Sequence, residues 1–73
     1  MYSMKQKDIR IVVGEKIRAL REKLGWSQEE LGFESGLHRN YIGGVERGER
    51  NIAIVNLAKI ANALGVRPRD LLP

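Results

Sequence analysis

The stretch ELGFESGLHRNYIGGVE, Glu30 to Glu46, decides the fold. A helical segment runs into Gly36, Leu37 follows, and a second segment opens at about Arg39. Glycine takes the left-handed conformation that ends many helices, so Gly36 reads as the turn between two short helices. Advancing roughly 100° per residue from Arg39 puts Tyr41, Ile42 and Val45 near 200°, 300° and 240°, an arc that faces a core. On the same scale Arg39, Gly43, Arg47, Asn40 and Gly44 fall at roughly 0°, 40°, 80°, 100° and 140°. This outer arc holds two cations, one amide and two bare backbone patches. Each glycine costs a helix interior about 1 kcal/mol relative to alanine, so an adjacent pair asks for a reason.

The same punctuation extends in both directions. Val13, Ile17, Leu20 and Leu24 share one helix face, and Gly25 closes that helix. Ser27 followed three residues later by Glu30 forms a capping box, which starts the second helix at Gln28. The third helix spans about Arg39 to Arg47 and ends at Gly48; the fourth carries Ile54, Leu57, Ile60, Ala61 and Leu64 and ends at Gly65, and with Ile54 at zero the other four cluster between about 240° and 340°. Pro68 suits the first position of a final turn through Leu72. No segment alternates with period two between hairpin turns, which argues against strands. The expected architecture is all-α: a compact bundle of about five short helices over residues 9–73, preceded by an N-terminal tail, residues 1–8.

At 73 residues the chain allows one domain, and a chain near this length buries only about 60% of its unfolded surface. Association with a second copy would help such a thin core. The net charge is +4, from 13 basic and 9 acidic residues, which favours an anionic partner. There is no cysteine, so disulfides and cysteine-based zinc sites are excluded. MYSMKQKDIR, Met1 to Arg10, has no long apolar run, so no signal peptide is expected; the longest uncharged stretch, NIAIVNLA, is too short and polar to span a bilayer. A cytoplasmic location is expected, with no membrane partner.

The outer arc of the third helix suits a major groove. Arginine pairs with guanine and asparagine with adenine through two bonds each, and glycine lets a groove wall approach the backbone. The plainer alternative is a solvated face that tolerates two glycines. The preceding short helix and turn favour the first reading, since helix, turn and amphipathic helix together make the helix-turn-helix layout.

At this point the segment IRALREKLGWSQEELGFESGLHRNYIGGVERGERN, with LAKIANALGV after it, resembles the DNA-binding domain of the phage repressor and Cro family of bacterial regulators. The resemblance runs from about Ile9 to Leu72; its marks are LGWSQEEL, YIGGVERG and LAKIANALGV in that order and spacing. YIGGVERGERN is also similar to the small controller proteins of restriction–modification systems. The resemblance implies a lambda-repressor-like domain bound to double-stranded DNA, with a phosphate contact from Gln28 and base reading by Arg39 and Asn40. Gly43 and Gly44 match positions that often carry longer, base-contacting side chains. Tyr41, Arg47 and Arg50 match the groove rim, and Arg21 and Glu46 match an ion pair between the first and third helices. The chain departs from the family at Gly32, where alanine is usual, at His38, where serine or threonine caps the helix, and at Ile52 and Ala53, which replace a Pro-Ser start. His38 is the only histidine, so a surface or capping role is expected and a metal ligand is not.

Proteins of this kind bind as two-fold dimers. Ile52, Val55, Val66 and Leu72 are more apolar surface than a monomer of this size needs, and they are assigned to a homodimer interface. Arg47 and Arg50 alternate with Glu46 and Glu49, so an ordinary solvated charge run is the competing account of that segment. Trp26 is expected as a lid on the core. No nucleophile and base are arranged for catalysis, so no enzyme, cofactor or small-molecule ligand is expected. The expected function is a sequence-specific transcriptional regulator acting on a palindromic operator. The alternative is an antitoxin that uses the same domain on DNA and pairs with a toxin.

Overall fold

A computed structural model describes residues 8–73. Four α-helices, α1 (Ile9–Lys23), α2 (Gln28–Ser35), α3 (Arg39–Glu46) and α4 (Ile54–Leu64), are followed by a 3₁₀ turn at Pro68–Leu71. No strand occurs among the described residues. Seven residues of the expected tail, 1–7, lie outside the described residues; Asp8 belongs to the fold, because its carboxylate caps α1 by accepting from the Arg10 N–H at 2.9 Å.

Local sequence explains each helix end. Ser27 Oγ accepts from the Glu30 N–H at 3.0 Å and starts α2. Gly25, Gly36, Gly48 and Gly65 all have φ between 74° and 76°, where a side chain would be strained. After each of them the next N–H reaches back to the carbonyl five residues earlier: Trp26 to Arg21, Leu37 to Gly32, Glu49 to Gly44, Val66 to Ala61. This is the Schellman closure, which usually carries an apolar contact at the residue after the glycine. Trp26, Leu37 and Val66 obey it and pack against the core. Val66, also expected in the dimer interface, is half-buried in this helix-closing contact. Ala53 gives α4 no side-chain cap.

The core is built from Val13, Ile17, Leu31, Ile42, Val45, Leu57, Ile60, Ala61, Leu64 and Leu71. Two apolar residues named on the first and fourth helices lie outside this core. Leu24 is the exposed C-cap of α1, and Ile54 is 81% exposed at the first position of α4. Side chains lean toward a helix's N-terminus, so the first residue of α4 leans past the end of the core and not into it.

Glycine also sets how closely α3 sits on its neighbours. A Cβ on Gly14 would meet the Val45 carbonyl and lie 2.7 Å from the Glu46 carbonyl oxygen. A Cβ on Gly32 would lie 2.6 Å from the Leu37 carbonyl oxygen. The bare backbone at these two points allows α3 to rest directly on α1 and on the end of α2.

A candidate nucleic-acid interface

The first turn of α3 is held by an unusual cap. His38 Nδ1 accepts from the Asn40 N–H at 3.0 Å, which requires the imidazole proton to sit on Nε2. Arg39 and Asn40 follow, both exposed. Arg39 Nη1 lies 3.2 Å from Glu29 Oε2, an exposed pair that links the face of α3 to the start of α2.

The base of α3 is anchored by charge. Arg21 Nε donates to Glu46 Oε2 at 2.7 Å and Arg21 Nη2 to Glu46 Oε1 at 3.0 Å. The third nitrogen, Nη1, donates to the Trp26 carbonyl at 2.6 Å. The side chains are 10% and 2% exposed, so this is a buried, two-pronged pair. The bond to Glu46 raises the Arg21 pKa further and outweighs the opposing effect of burial. Gln28 joins the same carboxylate, its Nε2 donating to Glu46 Oε1 at 3.0 Å. A carboxylate paired with arginine can only accept, so the amide nitrogen of Gln28 must face inward.

That orientation bears on the glycines. Gly43 and Gly44 lie on the side of α3 away from the apolar core, but neither is a bare patch. Both are buried beneath polar side chains. The Cβ position of Gly43 is 3.1 Å from Arg47 Nη1 and 3.2 Å from Gln28 Oε1; that of Gly44 is 3.2 Å from both Cγ and Nε of Arg50. Long side chains from α2 and from the loop after α3 fill the space the glycines leave.

The expected interface residues therefore form two adjoining groups. Gln28, Arg39, Asn40, Gly43 and Arg47 line one polar cleft of about 370 Å³. Beside it, the Arg50 guanidinium lies 5.5 Å from the centre of the Tyr41 ring, above Gly44. Arg47 Nε is bonded to Glu49 Oε2 at 3.0 Å, which raises its pKa.

The expected dimer residues gather less completely. Ile52 and Leu72 line a largely apolar groove of about 310 Å³ with Ile9, Val13, Val45, Ile54 and Leu57, and Arg10, Arg50 and Asn51 also border it. Val55 is exposed next to Ile54, and Val66 is not among the lining residues. The sequence reading missed Gly14, Asn56, Ile9 and the two carboxylates Glu29 and Glu49. Only Gly14 carried a usable signal, a glycine in the middle of an apolar helical pattern. No group of residues suited to hold a metal occurs among the described residues.

A tight turn joining two short helices, the second with a polar outer face, defines a DNA-binding helix-turn-helix domain. The comparisons agree: the Helix-turn-helix family matches residues 17–71, and the chain belongs to that family of transcriptional regulators. It is 52% identical over 66 residues to control protein C.BamHI of Bacillus amyloliquefaciens, covering 89% of this chain and 82% of that one. The restriction–modification controller protein C.AhdI of Aeromonas hydrophila superposes with a TM-score of 0.83 at 52% identity, covering 85% of this chain and 94% of that one. The biofilm regulator SinR, solved in complex with DNA, gives 0.77 at 30% identity over 81% of this chain and 95% of that one.

Proposed function

We infer that the chain acts in the cytoplasm as a homodimer on a palindromic operator, in the manner of a restriction–modification controller. The observation that carries this reading is the polar cleft, which brings Gln28, Arg39, Asn40 and Arg47 together on the outer face of α3. In a major groove, Arg39 and Asn40 at the first turn of α3 reach base edges, with guanine and adenine as their natural partners. The backbone N–H of Gln28 at the first position of α2, with the side chains of Tyr41, Arg47 and Arg50, contacts the phosphate backbone on either side. The Arg21–Glu46 pair fixes α3 against α1 and positions this face. Gly43 and Gly44 keep the middle of the helix low beneath its covering side chains.

The second copy docks through the apolar groove. Ile52, Val55 and Leu72 belong to that surface, and exposed Ile54 joins them. The controller role rests on the likeness to C.BamHI and C.AhdI, whose names record it. No catalytic step and no ligand are needed, because the dimer's own concentration sets occupancy.

Selection from a randomised duplex library at moderate salt, followed by sequencing, tests the reading. A two-fold symmetric motif with half-sites about one helical turn, ~34 Å, apart is the expected result. An asymmetric motif would remove the dimer. The absence of any motif, with binding that does not weaken as salt rises, would remove sequence-specific DNA recognition altogether.

A further inference from the structure

Three arginines project from or beside α3, and two of them are already paired. Arg39 faces Glu29 at 3.2 Å and Arg47 faces Glu49 at 3.0 Å. Arg50 has no carboxylate partner among the described residues. Its guanidinium rests on the Tyr41 ring, 5.5 Å from centroid to Cζ, and its stem crosses Gly44, where Cγ and Nε are each 3.2 Å from the point a Cβ would occupy. The ring is itself tied down, because Asn56 Nδ2 donates to Tyr41 Oη at 3.2 Å. Asn56 belongs to the first turn of α4, so the arrangement spans three segments of the chain.

We propose that Gly44, Tyr41 and Asn56 form a seat that holds Arg50 across the middle of the recognition helix, making Arg50 the pre-set cation of the DNA-binding face. The proposal rests on the DNA reading above and changes the part Arg50 plays in it. A residue from the loop after α3 takes the place of the side chain that the helix lacks at position 44. An arginine already lying on an aromatic face has lost much of the freedom that binding would otherwise remove. It also shares its charge with no carboxylate among the described residues, whereas Arg39 and Arg47 are each partly neutralised by one. The two glycines then do different work. Gly43 leaves room for Gln28 and Arg47, and Gly44 leaves room for Arg50.

A methyl at position 44 separates this role from a structural one. It would meet only the flexible Arg50 stem, so the helix accepts it and gains the propensity that glycine lacks. Gly44→Ala should therefore melt no lower than the parent and yet bind the selected duplex about tenfold more weakly. Arg50→Ala should weaken binding at least as much. The double variant should bind no more weakly than Arg50→Ala alone, because the methyl acts only by lifting Arg50. Additive losses, or an unchanged affinity in Gly44→Ala, would overturn the proposal. A readout without DNA isolates the seat. The Arg50 side-chain protons should be shifted upfield by the Tyr41 ring in the parent's NMR spectrum and shifted less in Gly44→Ala, where the stem must give by a few tenths of an ångström. Unshifted protons in the parent would remove the seat whatever the DNA result. A shifted Arg50 in a protein that binds no duplex would instead sink the DNA reading, and with it the function assigned to Arg50.

Discussion

Arg21 and Glu46 carry opposite charges to the contact between α1 and α3, where neither can be left alone. Taking two ions out of water is costly, and their mutual attraction repays that cost only while both are present and well bonded. Arg21→Ala should therefore lower the unfolding free energy by about 3–5 kcal/mol, since it leaves the buried Glu46 charge with only the Gln28 amide and removes the donor to the Trp26 carbonyl. Against a typical total of about 5–15 kcal/mol, that variant stands close to unfolding. Urea denaturation followed by Trp26 fluorescence measures it, and a midpoint equal to the parent's would show that the pair contributes nothing. Asp8 behaves differently, because it is exposed. Bonds from the Arg10 side chain and then the Arg10 N–H hold its carboxyl at about 2 instead of the ordinary 3.8. The folded state therefore binds this proton less readily than the unfolded chain. The cap's contribution is full above 3.8 and fades as pH falls toward 2. The stability gap between the parent and Asp8→Ala should close across that window in acid melts; a gap that persists at the acid end would mean the cap does not depend on the charge.

At the scale of elements, the position of α3 depends on glycines that no wheel distinguishes. Gly14 and Gly44 both sit inside helices, and substituting alanine should give opposite results. Gly14→Ala gains about 1 kcal/mol of helix propensity. It also drives a methyl into the carbonyls of Val45 and Glu46, which are backbone and cannot swing aside. Overpacking of this kind costs about 1–3 kcal/mol, so the net change should be a lower melting temperature and a displaced α3. A variant that melts higher would show that α1 and α3 have room to separate. This contrast marks what one chain reveals about its own fold. Helix ends were legible because a positive φ leaves glycine as the natural occupant, and Gly25, Gly36, Gly48 and Gly65 all stand there. The inward stripe of α3 was legible because Ile42 and Val45 share an arc of the wheel, and both are buried. Leu24 was misread because a wheel has no ends and cannot register that α1 stops at Lys23. The cover over Gly43 was invisible for another reason. Part of it comes from Gln28, fifteen positions earlier in the chain, and only the folded turn brings the two together. Arg39 and Glu29 meet in the same way, ten positions apart.

For the whole molecule, the question is what covers the apolar groove. An eight-residue α3 is about 12 Å long and can read only a few base pairs, so a specific site calls for two copies. Of its 36 × 22 × 21 Å extents, the two shorter ones let one copy sit on each half-site spaced by ~34 Å. The groove is a suitable contact, because Ile9, Ile54, Val55 and Leu72 are exposed around or beside it and no covering segment is among the described residues. In a two-fold interface each side chain counts twice. Burying one isoleucine contributes about 1.5–3 kcal/mol, so a symmetric contact loses about 3–6 kcal/mol when Ile54 is replaced by aspartate. That corresponds to a dimer dissociation constant higher by about 10²–10⁴-fold. The monomer should be unaffected, since Ile54 is 81% exposed within it and supports no core contact. Sedimentation equilibrium on the parent and on Ile54→Asp, at concentrations on the order of ten micromolar, separates the outcomes. A dimeric parent and a monomeric, folded variant place the interface at this groove. A variant that stays dimeric moves the interface elsewhere, and a parent that is monomeric leaves each recognition helix to bind its few base pairs alone, too short a site for a regulator to find.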